Sequence, residues 1–102
     1  MIKELLSKKI DVNEEGYLEH FDQWDRQIGL AIAAEEEILM TDRHWEIIAY
    51  LQNEFQKGEA LSIRKIKNSE VVSIKEFYDL FPGGPLKKAT KIAGIPKPAS
   101  CV

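Results

Sequence analysis

Near residue 24 the spacing of apolar residues changes period, and that change restricts the chain to a mixed architecture. Residues 8–24, KKIDVNEEGYLEHFDQW, alternate apolar and polar side chains around a turn-forming NEEG. Alternation of period two exposes one face of a strand and buries the other. The segment therefore reads as a β-hairpin from about Lys8 to Phe21, with Ile10 and Val12 before the turn and Tyr17, Leu18 and Phe21 after it. Residues 1–5 are the candidate third strand. From Trp24 onward, Trp24, Ile28, Ala31 and Ile32 fall at i, i+4, i+7 and i+8, which places them on one face of a helix over about 25–37.

Local punctuation predicts four further helices. Thr41 is an N-cap type, with Asp42 placed where the helix dipole favours a negative charge. Trp45, Ile48, Leu51 and Phe55 form the apolar stripe of this helix, and Gly58 ends it. Leu61 to Ile66 read as a short helix presenting Arg64. Ser73 and Glu76 have capping-box spacing, opening a helix that stops before Pro82. Gly83-Gly84 reads as a turn, Pro85 suits a first helical position, and Gly94 suits the residue after a helix end. The resulting class is α+β: a small N-terminal antiparallel hairpin or meander packed on about five helices. One domain spans 1–102, and 95–102, IPKPASCV, form a flexible extended arm because two prolines bar a helix.

A chain of 102 residues with 44% apolar and 30% charged side chains is sized for one modest core. No apolar run approaches the length that crosses a bilayer, and no secretion signal is evident, which points to the cytoplasm and away from a membrane. One cysteine excludes an internal disulfide and cysteine-rich zinc sites. Residues 1–63 carry 6 Lys/Arg against 14 Asp/Glu, whereas residues 64–102 carry 8 against 3. Cys101 thus belongs to the basic part, where positive charge favours the nucleophilic thiolate.

Cys101 is the candidate reactive group because it stands at the tip of an arm stiffened by Pro96 and Pro98, where it adds nothing to a core. Lys87, Lys88, Lys91 and Lys97 lie near it in sequence. His20 and His44 lack cysteine or carboxylate partners at ligand spacing and read as partly buried structural residues. The run Glu35-Glu36-Glu37 reads as a solvated helix end, and Trp24 and Trp45 as core. Ser62 to Phe81 also fits a helix-turn-helix, with Arg64, Lys65, Lys67 and Lys75 on phosphates. The overall acidity argues against that nucleic-acid-binding reading.

The last residues, FPGGP, KKATKIAGIPKP and a penultimate Cys, resemble the C-terminal signature of the TusE/DsrC family of sulfur-relay proteins. That family includes the gamma-type subunit of dissimilatory sulfite reductase. EEGYLEHFDQW, MTDRHWEIIAYLQNEF and Arg64 in LSIRKI extend the resemblance over nearly the whole chain. It implies a sulfurtransferase, not itself an oxidoreductase, that needs no cofactor or metal. In this reading Cys101 carries sulfane sulfur as a persulfide, supported by Arg64, Lys91 and Lys97. The implied partners are an upstream heteromeric sulfur carrier and the tRNA thiouridylase that makes wobble 2-thiouridine, or else dissimilatory sulfite reductase. The sulfite-reductase branch has a second cysteine where this chain has Thr90, so the resemblance is to the single-cysteine, TusE-like type.

Overall fold

The computed structural model describes residues 1–5 and 7–98. Cys101, the expected carrier, lies outside the described residues. Strand β1 (Ile2–Leu5) pairs antiparallel with β2 (Lys8–Asp11), in a register running from Ile2↔Asp11 to Leu5↔Lys8. The expected third strand is therefore the first, and the ladder lies before NEEG rather than across it. NEEG is a tight turn: Asn13 Oδ1 accepts from the amides of Glu15 and Tyr17, and Gly16 has φ +88°. Beyond it, pairing is limited to an isolated bridge, Val12↔Leu18. Tyr17 and Leu18 are both buried, which breaks the alternation a two-faced strand needs, and Phe21–Gln23 coil into a 3-10 turn.

Five helices follow: α1 (Arg26–Glu35), α2 (Asp42–Gln56), α3 (Ile63–Ser69), α4 (Ile74–Leu80) and α5 (Pro85–Ile92). Each start has a local cause. The Asp25 carboxylate accepts from Ile28 N–H at 2.8 Å, Ser62 Oγ from Lys65 N–H and Ser73 Oγ from Glu76 N–H, each at 3.1 Å. At the head of α2, His44 takes the place of the usual Glu or Gln of a capping box: its Nδ1 accepts from Thr41 N–H at 3.1 Å. Its other ring nitrogen lies 2.9 Å from Leu80 O, so the ring donates from Nε2 and ties α2 to the end of α4.

Helix α5 is the centre of the core. Leu86, Ala89, Thr90, Ile92 and Ala93 are fully buried, and the helix packs against α1, α2 and α4. On α2 the buried spine is His44, Ile47, Ile48 and Leu51, turned by about one residue from the expected stripe. Trp45 is only half-buried and lies beneath the Arg26 guanidinium, 4.4 Å from the ring centroid.

Candidate functional site

The described chain runs on from the carboxyl end of α5 through Gly94 to Pro98, and a helix end exposes carbonyls that its own backbone does not satisfy. Side chains from two other helical segments close this end. Trp24 Nε1 donates to Ile92 O at 2.7 Å, and Gln52 Nε2 to Ala93 O at 2.8 Å. The Gly94 and Ile95 amides return to Lys91 O and Thr90 O, both at 3.2 Å. Gly94 has φ +73°, and a Cβ there would stand 2.4 Å from Trp24 Cδ1; a Cβ on Gly29 would stand 3.0 Å from Trp24 Cζ2. The indole is thus slotted between two glycines, one on α1 and one just past α5. Ile95 is 1% exposed, so it still belongs to the core, while Pro96 and Lys97 are exposed.

From there Lys97 meets the NEEG turn. Lys97 Nζ donates to Glu15 Oε2 at 2.8 Å. Glu15 lines a cavity of about 310 Å³ together with Tyr17, Glu36, Gly83, Lys87, Lys88 and Lys91. Lys91 Nζ lies 3.5 Å from Glu36 Oε1, and both side chains are largely covered, at 20% and 24% exposure. The hydrogen bond from Lys97, joined by the charges of Lys97, Lys87 and Lys91, holds the Glu15 carboxyl below its ordinary range. Tyr17, from the turn, donates its hydroxyl to Lys87 O at 3.0 Å and pins the cavity wall to α5. The expected solvated run of Glu35, Glu36 and Glu37 is split: Glu36 faces Lys91, while Glu35 pairs with Lys3.

The structure brings Lys91 and Lys97 to this place and keeps Arg64 away from it. Arg64 is exposed on α3 and lines a separate, open cavity of about 620 Å³ with Tyr50, Glu54, Ser62, Lys65, Asn68 and Ser69. Thr90 is 0% exposed, and its hydroxyl donates to Leu86 O at 2.7 Å and contacts Lys87 O at 3.1 Å. His44 is buried as expected, whereas His20 is exposed, 4.0 Å from Asp11. Among the described residues, no group of three His, Cys, Asp or Glu is placed to hold a metal ion.

The helix-turn-helix reading finds its two helices in α3 and α4. The second of them, however, presents Lys75 beside Glu76, Tyr78 and Asp79, with Phe77 turned into the core. Such a surface repels phosphates more than it attracts them. Sequence reasoning missed Glu15, Tyr17 and Glu36 as parts of the site. The first two lay in the expected hairpin, and only the tertiary fold brings that turn onto α5.

A small α+β body whose chain runs from the core at Ile95 past a lysine-lined cavity, with Lys97 bonded to Glu15 of the NEEG turn, defines the class of fold. The sequence profile of the family described as DsrC like protein matches residues 4–102, and the chain belongs to that family. The sulfurtransferase TusE of Photorhabdus laumondii is 37% identical over 103 residues, covering 93% of each chain. The sulfurtransferase TusE of Escherichia coli strain K12 is 36% identical, over 93% of this chain and 94% of that protein. Among solved structures, Allochromatium vinosum DsrC superposes over the whole of both chains, with a TM-score of 0.85 and 32% identity. The oxidized gamma-subunit of dissimilatory sulfite reductase from Archaeoglobus fulgidus does so with a TM-score of 0.82 and 37% identity.

Proposed function

We propose that this chain is a sulfurtransferase working as a one-thiol carrier in a sulfur relay. The Cys101 thiolate attacks the outer sulfur of a donor persulfide; the donor's S–S bond breaks, a new S–S bond forms on Cys101, and the donor leaves as a thiolate. An acceptor thiolate then takes the same sulfur by the reverse chemistry, with no net oxidation or reduction. The relay reading fits relatives that carry the name sulfurtransferase.

The observation that carries the one-thiol form is Thr90. A second cysteine at that position would allow a dithiol cycle, but here the site holds a buried hydroxyl already bonded to Leu86 O. The chemistry left to Cys101 is persulfide transfer between partners. We assign the relay to tRNA wobble 2-thiouridine synthesis in the cytoplasm, between an upstream sulfur-carrier complex and a thiouridylase. A second reading, a partner of dissimilatory sulfite reductase, draws on the structural likeness to its gamma-subunit. Thr90 counts against it, because that branch works through two thiols.

Incubation with a small-molecule persulfide donor should add one sulfur to the intact mass, removable by reductant. Cys101→Ser should remain folded by circular dichroism and gain nothing. Sulfur retained by the serine variant would exclude Cys101 as the carrier.

A further inference from the structure

A cavity of about 230 Å³ opens where the loop after α1 meets the end of α4. The loop leaves α1 through a closed helix end: the Glu37 amide donates to Ala34 O at 3.1 Å and the Ile38 amide to Ala33 O at 2.9 Å. The residue between helix and loop in this motif is left-handed, and Glu37 has φ +59°. Glycine takes that conformation at the lowest cost, so a glutamate here carries backbone strain and brings a carboxylate to the cavity. Ile38 then turns into the core, and Leu39 stands out at 87% exposure, the most exposed large apolar side chain among the described residues. The other lining residues are Asp79 and Leu80 of α4, Pro82 beyond it, and His44. His44 offers no free polar atom, since Nδ1 accepts from Thr41 N–H and Nε2 donates to Leu80 O. The lining is thus apolar apart from two carboxylates. Neither Glu37 nor Asp79 makes a side-chain hydrogen bond or ion pair among the described residues. Lys88, whose Nζ would stand 3.3 Å from a Cβ on Gly83, lines the lysine-lined cavity instead.

We propose that this face docks a segment of a partner protein that presents one apolar side chain flanked by Lys or Arg. The cavity is smaller than the roughly 300–1,000 Å³ of small-molecule sites, so it suits a single inserted side chain rather than a free ligand. Leu39 packs against the incoming residue as an anchor, and Glu37 and Asp79 meet the flanking cations. An acidic or uncharged segment would leave both carboxylates unanswered. The helix end is closed by its own hydrogen bonds, so Leu39 is presented with little ordering left to do on binding. A second copy meeting this face with the same face would set like charges together, which argues against self-association. The contact involves no sulfur chemistry and stands whether or not Cys101 is the carrier.

The test is fluorescence polarisation of the full chain with three labelled synthetic peptides of helical pattern. One is built of leucine and lysine, one has serine in place of the leucines, and one has glutamate in place of the lysines. The leucine–lysine peptide should bind, and each of the others at least about ten-fold more weakly. Leu39→Ser should weaken the first peptide about ten-fold, the worth of one buried leucine side chain. Glu37→Gln/Asp79→Asn should weaken it on the order of five-fold, by an amount that shrinks as salt rises. Glu4→Gln/Glu14→Gln removes the same charge from exposed positions outside this cavity and should bind as wild type does. Titration should also shift the backbone amides of Ile38, Leu39 and Leu80. The docking face is overturned if the leucine–lysine peptide does not bind, if the serine–lysine peptide binds as well, or if Leu39→Ser binds like wild type. A wild-type dimer in sedimentation that Leu39→Ser abolishes would overturn it in favour of a second copy. Should a variant fail to fold, the wild-type amide shifts and the three-peptide comparison decide.

Discussion

Gly58 and Gly94 share a left-handed backbone, with φ of +80° and +73°, and differ in what surrounds them. Nothing lies within 4 Å of a Cβ built on Gly58, whereas one on Gly94 runs into the Trp24 indole at 2.4 Å. Gly58→Ala therefore meets only the left-handed penalty, about 1–2 kcal/mol. Gly94→Ala adds an overpacking cost and should lose about 2–5 kcal/mol in all, measured by urea unfolding. Equal losses at the two positions would mean that the indole moves aside freely. The sequence made both glycines legible as helix stops, because a stop is a local property of the backbone. It read Trp24 as core, but the indole is half-buried and its N–H closes α5. Periodicity tells which way a side chain faces, not which distant carbonyl it will meet.

Among the elements, the junction of α2 and α4 shows where local reading ends. Ser73 performs its half of the capping box, but the Glu76 carboxylate turns instead to Arg43, which grips it with Nε at 3.1 Å and Nη2 at 2.9 Å. The same guanidinium reaches Glu46 and Val71 O, so one side chain ties α2 to the head of α4 and the loop before it. The hydrogen bonds from Arg43 hold Glu76 below the ordinary carboxylate range. A carboxylate depressed on folding contributes stability that is complete above its unfolded pKa, about 4.3, and is lost as pH falls through the lower folded value. Glu76→Gln should consequently be less stable than wild type at neutral pH, and the gap should close on acidification below about pH 4. Thermal midpoints at a series of pH values test this, and a gap that persists undiminished at low pH would refute it. The helices were legible because each has its own cap or breaker. The strand order was not, since β1 pairs with β2, the first part of the alternating segment, through a ladder that leaves out the residues after NEEG.

Over the whole molecule, contacts from the NEEG turn, α1 and α2 converge on α5, so the helix that carries the lysines also fixes where the arm begins. Ile95 is anchored in the core and its amide bonds Thr90 O, so six residues of sequence, Pro96 to Cys101, separate that anchor from the thiol. Six residues extend up to about 20 Å, ample for a return to position 90, whose Cα must come within about 7 Å for a disulfide. Thr90→Cys should therefore close an internal bridge to Cys101 under mild oxidant such as oxidised glutathione, restoring the second thiol that this chain lacks. Closing so short a loop is worth about 3 kcal/mol of unfolded-state entropy, against which the two prolines and any native strain count. Because Thr90 is fully buried, the new thiol must first be uncovered by a local opening of α5 or its neighbours. The bridge should accordingly form slowly, at a rate independent of protein concentration, and it should block sulfur loading until it is reduced. Thr90→Cys combined with Cys101→Ser should give no bridge. If Thr90→Cys yields only intermolecular dimers that vanish on dilution, the arm does not return to α5. A carrier whose thiol never approaches that helix would exchange sulfur only at full extension.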